Sequence, residues 1–142
     1  MNGNLLTAKA QLAGEKMMFL CESGGYELCS DYIPPYGDGQ GFMPLQLFLV
    51  SLSACMGGTI QFLSKKMQRH VGALTVTAQG ERRTQHPTMF GRILLDIRVT
   101  SDNMSDGDMQ DILAQAEETF CPVAAMIKGN VPLEMTFEIS RG

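Results

Sequence analysis

The chain is short of charge. Asp, Glu, Lys and Arg make up 18% of its 142 residues, against about 25% in an ordinary soluble domain. Between 41 and 64 there is no charged residue at all. A chain so lean in charge has surface to hide, so a subunit interface is expected. No Lys/Arg-rich block exists either: Lys65-Lys66 and Arg82-Arg83 are pairs, and no arginine precedes Arg69. With a net charge of −4 and a pI near 5.1, nucleic acid is excluded as the main partner. The opening "MNGNLLTAKAQLAG" has no basic segment followed by an apolar core. It does not read as a signal peptide, and a cytoplasmic location is expected. The four cysteines (Cys21, Cys29, Cys55, Cys121) form no CxxC, and His70 and His86 lie far from them in sequence. No zinc site is expected.

What is present reads as one α+β domain over 1–142. Apolar stretches at 4–12, 16–22 and 26–31 predict three strands, with Gly24-Gly25 as a two-residue turn. That turn sets Cys21 opposite Leu28 and Cys29 opposite Leu20, on opposite faces, so no Cys21–Cys29 bond is expected. Residues 33–43, "IPPYGDGQGFM", are a loop. Pro44 opens a long helix, predicted to run to about His70, with a stripe of Leu45, Phe48, Leu49, Leu52, Cys55, Met56, Thr59, Phe62 and Leu63. Gly57-Gly58 inside it predicts a backbone passing close by. A hairpin at 73–83 and 90–100 follows. A second helix is capped by Ser105, with a stripe of Met109, Ile112, Leu113, Ala116 and Phe120. Pro122 breaks that helix and opens a short one to Gly129, with Cys121 at its N-cap. An alternating strand at 131–140 closes the chain.

The uncharged stretch 41–64 is long enough to span a bilayer. Gln46, Ser51, Ser53, Thr59 and Gln61 dilute it, and amphipathic strands flank it on both sides. It reads instead as a helix buried nearly all round. Within it Cys55 has no local aid to ionisation, and apolar burial would raise its pKa. Cys121 has a helix N-terminus to lower its own. Each alone reads as a packed small residue. If the two meet, one thiolate can attack a peroxide and the other trap the sulfenic acid as a disulfide.

The stretches "MPLQLFLVSLSACMGG" and "AEETFCPVAAMIKGNVPL", with a hairpin between them and this order of elements, resemble the osmotically inducible protein C / organic hydroperoxide resistance (OsmC/Ohr) family, in its OsmC-like branch. The resemblance spans nearly the whole chain. It implies the OsmC-like fold, with antiparallel sheets packed on a long central helix and an intertwined homodimer. It implies thiol-dependent reduction of small hydrophobic hydroperoxides, with Cys55 attacking and Cys121 resolving. It also implies a dithiol reductant, no metal or bound organic cofactor, and a pocket bordered by the loop 33–42. The hydroperoxide-resistance enzymes carry a glutamate directly after the helix-opening proline, where this chain has Leu45 and then Gln46. They also carry an arginine near the first hairpin, where only Lys9 or Lys16 could supply positive charge. The alternative reading is a non-catalytic module of the same fold that binds a hydrophobic ligand or acts as a slow thiol sensor.

Overall fold

The computed structural model describes residues 3–142. The chain divides into two compact units, Met1–Phe48 and Leu49–Gly142.

The first unit carries β1 (Lys9–Leu12), β2 (Phe19–Ser23) and β3 (Tyr26–Ser30) in one antiparallel sheet. The strands are shorter than the apolar stretches that predict them. Gly24 and Gly25 both take positive φ, 62° and 87°, which a two-residue hairpin turn requires. The register follows from that turn: Cys21 faces Leu28 and Leu20 faces Cys29, as expected. The loop after β3 is organised by Asp31, whose side chain is buried with 1% exposure. Its carboxylate accepts the backbone N–H groups of Tyr32 at 2.8 Å, Asp38 at 3.2 Å and Gln40 at 3.0 Å. These bonds, led by Gln40 and opposed by burial, hold its pKa below the ordinary carboxylate value.

Helix α1 spans Pro44–Lys66. Pro44 takes the first helical position, and the Gln46 side chain accepts the Met43 N–H at 2.9 Å. That is the returning half of a capping box. The helix stops earlier than His70. Gln68 adopts φ 58°, while Arg69 N–H reaches Ser64 O at 2.8 Å and Gln68 N–H reaches Lys65 O at 3.0 Å. These two bonds are a Schellman termination, with glutamine where glycine is usual.

In the second unit, β4 (Ala73–Arg82), β5 (Phe90–Thr100) and β6 (Leu133–Ser140) form a sheet in that order. The expectation of purely antiparallel sheets fails here, because β6 runs parallel to β5. The cause is the helical crossover between them, which returns the chain in the same direction. The crossover holds α2 (Asp106–Gln115), a π turn (Ala116–Phe120) and α3 (Pro122–Ile127). Leu52, Met56, Ile60 and Leu63 of α1 are buried, as are Ile93, Leu95, Ile97 and Val99 of β5 and Met109, Ile112 and Leu113 of α2. In the single chain Val50 and Phe62 of the helix stay exposed, a side that a second subunit would have to cover for the helix to be buried all round. Among the described residues no backbone passes close to Gly57. A methyl group there would meet a Val76 side-chain carbon at 3.6 Å, and one at Gly58 would meet open space.

Candidate functional site

Cys55 sits midway along α1, half-buried. Thr59, one turn on, spends its hydroxyl on the Cys55 carbonyl at 2.9 Å, so it makes that bond along the helix. The second thiol arrives from the crossover. In a plain α-helix the stripe through Met109, Ile112, Leu113 and Ala116 would continue to Phe120, as the sequence predicts. The π turn widens the helix, and Cys121 N–H bonds to Ala116 O at 2.8 Å, five residues back. The stripe therefore continues to Cys121, which is 2% exposed, while Phe120 is 41% exposed. Cys121 then takes an extended conformation, φ −88° and ψ 104°, as the N-cap of α3, with Pro122 at the first position. That cap was legible from Pro122; the π turn was not.

The structure brings Cys55 and Cys121 together. Their sulfurs lie 3.2 Å apart, and the Cys121 thiol is placed to donate to Cys55 Sγ. The sequence reading put pKa-raising burial on Cys55 and a lowering helix end on Cys121. The structure reverses this for Cys121. Burial pushes its thiol from 9.0 up to about 11, against the Ala124 and Val123 N–H groups at the start of α3, and its contact with Cys55 pushes the same way. A six-residue helix offers too little to offset a nearly complete loss of water. The pair is thus asymmetric: Cys121 holds its proton and offers it to Cys55.

The remaining candidates lie as follows. Lys16 pairs with Asp38 at 2.6 Å, and both are exposed. Lys9 is exposed on β1. Arg69, the first arginine in the chain, is bound to Asp108 at 2.7 Å. Leu45 stands second in α1, beside Gln46, whose amide is used in the cap. Cys21 and Cys29 are free half-buried thiols on their separate faces. His70 stands exposed 3.7 Å from Asp102. Among the described residues, no three His, Cys, Asp or Glu side chains gather closely enough to hold a metal ion. Asp31 and the Gln46 cap are structural centres that the sequence reading missed. The spacing of Met43 to Gln46 was the available signal for the second.

An aromatic pair links α1 to the π turn. Phe62 and Phe120 have ring centroids 6.2 Å apart at 56°, and Lys66 Nζ sits 5.8 Å from the Phe62 centroid.

Comparison with known proteins agrees with this architecture. The family described as OsmC-like protein matches residues 37–136. Protein YhfA of Escherichia coli strain K12 is 25% identical over 126 residues, spanning 88% of this chain and 92% of YhfA. An OsmC-like protein from Mycoplasma pneumoniae superposes with a TM-score of 0.86 at 18% identity, over 98% of this chain and 99% of that one. An organic hydroperoxide resistance protein OsmC from Legionella pneumophila superposes at 0.73 with 19% identity, over 97% and 99%. The structural likenesses concern the fold.

Proposed function

Because the chain belongs to the OsmC-like family, we propose that it is a thiol-dependent reductase of organic hydroperoxides working through Cys55 and Cys121. The observation that carries the reading is the 3.2 Å separation of the two sulfurs, one able to donate to the other. Cys55, the more exposed of the two, is the attacking thiolate. Its sulfur takes the terminal oxygen of the hydroperoxide, the O–O bond breaks, and the alkoxide leaves as the alcohol after gaining a proton. Cys55 is then a sulfenic acid. Cys121 attacks the Cys55 sulfur, the S–S bond forms, and the hydroxyl departs as water with the Cys121 proton. A dithiol returns two electrons by thiol–disulfide exchange. A raised Cys121 pKa suits this order, because it keeps Cys121 protonated and leaves the first attack to Cys55.

The same reading includes a single functional domain and a homodimer in the cytoplasm. The half-open α1 and the exposed apolar side chains Leu6, Leu20, Tyr26 and Phe62 support the dimer. No bound cofactor enters the cycle.

The test is consumption of cumene hydroperoxide with a dithiol reductant, together with thiol titration. Wild type should lose two of its four thiols on one equivalent of peroxide. Cys55→Ser should fall to the uncatalysed rate, whereas Cys121→Ser should still consume one rapid equivalent. An unchanged rate in Cys55→Ser overturns the proposal. Sluggish thiol loss in wild type favours the sensing or ligand-binding module instead, the reading to which the missing family glutamate and arginine point.

A further inference from the structure

Beyond that reading, we propose that Cys55 and Cys121 capture trivalent arsenic as a two-sulfur chelate. The separation of the sulfurs decides which centre fits between them. A zinc–thiolate bond is about 2.3 Å long, and arsenic binds sulfur at a similar length. Two such bonds in line need sulfurs about 4.6 Å apart, and a tetrahedral centre needs about 3.8 Å. Two bonds at nearly a right angle need only about 3.3 Å. The thiols stand at 3.2 Å. A near-right angle belongs to trivalent arsenic, whose lone pair leaves its three bonds in a pyramid. The ligand count agrees. Zinc takes four protein ligands in a structural site and three in a catalytic one, and among the described residues no three His, Cys, Asp or Glu side chains gather. A pyramidal arsenic needs two sulfurs from the protein and brings its third group with it.

The frame holds this spacing in advance. Cys55 is fixed midway along α1, and Cys121 is held extended at the N-cap of α3, followed by Pro122. A linear ion would have to widen the pair by about 1.4 Å, whereas the arsenic chelate needs almost no rearrangement. Cys21 and Cys29 cannot do the same, because their register sets them on opposite faces of their sheet. The chemistry is a condensation with no change of oxidation state. An arsenous group R–As(OH)2 meets the more exposed Cys55 first. An As–S bond forms, an As–O bond breaks, and the hydroxyl leaves as water with the thiol proton. Cys121, which keeps its proton at neutral pH, repeats the step with the second hydroxyl. That second step is intramolecular and gains accordingly. While the chelate stands, neither thiol is free to attack a peroxide, and a free dithiol releases them by taking the arsenic.

The probe is phenylarsine oxide, added to the reduced full chain after all free thiol has been removed. One equivalent should hide two of the four cysteines from thiol titration, and dimercaptopropanol should restore them. Cys55→Ser and Cys121→Ser should each bind about a hundredfold more weakly, the loss expected when a chelate becomes a single bond. Cys21→Ser combined with Cys29→Ser should bind as wild type does. Undiminished affinity in Cys55→Ser or Cys121→Ser, or protection of Cys21 and Cys29 instead, overturns the proposal. X-ray absorption at the arsenic edge needs no variant. In wild type it should count two sulfurs and one carbon around arsenic, and one sulfur or three overturns the chelate. Zinc at the same concentration should protect the pair much less, and equal protection overturns the choice of a pyramidal centre. Cumene hydroperoxide consumed in a single turnover by wild type saturated with phenylarsine oxide defeats the capture and leaves the reductase. Phenylarsine oxide held by both thiols of a protein that consumes no hydroperoxide does the reverse.

Discussion

At the scale of the residue, the two thiols differ in burial. Cys121 is almost wholly withdrawn from water, and a thiolate there would lose its hydration with only two backbone N–H groups in return. Its pKa of about 11 has a direct readout. Alkylation of Cys121 by iodoacetamide, followed by peptide mass spectrometry, should rise through pH 11 rather than level off near the ordinary thiol value of about 8.5. Cys55→Ala should lower the midpoint, because contact with Cys55 is one of the causes of the shift. A wild-type midpoint near the ordinary value would contradict the burial argument. Asp31 is the counterpart in the first unit. There, three backbone donors outweigh burial and keep the group charged.

At the scale of the element, α2 depends on its first turn. Ser105 accepts the Asp108 N–H at 3.0 Å, and Asp108 accepts the Ser105 N–H at 3.0 Å, closing a capping box. Asp108 also binds Arg69 just beyond the end of α1, and chiefly that bond lowers its pKa to about 2. An unfolded aspartate titrates near 3.9. A group depressed on folding contributes stability in full above that value and loses it as pH falls through about 2. Asp108→Asn should therefore lower the urea midpoint at pH 7, and the gap from wild type should close between pH 4 and 2. Ser105→Ala should cost about 1 kcal/mol of stability in the same assay. Ser105 as a cap was legible in the sequence, as were Pro44, Gly24-Gly25 and the Cys121-Pro122 break. Each is a local signal, carried by a residue whose own φ or side chain enforces the turn or cap. Gln68 in left-handed conformation, the π turn and the parallel β6 were not legible. Glutamine carries no preference for positive φ, an extra residue in a helical turn leaves the apolar spacing ambiguous, and strand direction is set by the crossover rather than by the strand.

At the scale of the whole molecule, the sparse charge and the exposed Leu6, Leu20 and Tyr26 are what the proposed dimer would cover. Sedimentation equilibrium should give twice the 15.5 kDa chain mass, and Leu20→Asp with Tyr26→Asp should shift the equilibrium toward the monomer. A monomeric wild type at micromolar concentration would refute the dimer. The meeting of Cys55 with Cys121, 66 positions apart, is a whole-molecule property too. Sequence could name both residues but not the distance, because that depends on where the crossover lays the π turn against α1. The distance has a consequence for how the protein reports its state. Sulfurs 3.2 Å apart need to close by only about 1.2 Å to reach a disulfide length of roughly 2.05 Å. If the pair cycles as proposed, it stores two electrons and releases them with almost no movement of the chain around it. The charged and discharged forms then present nearly the same exterior. A partner that recharges the protein must recognise it in either state, and distinguish them only by whether the sulfur bond yields.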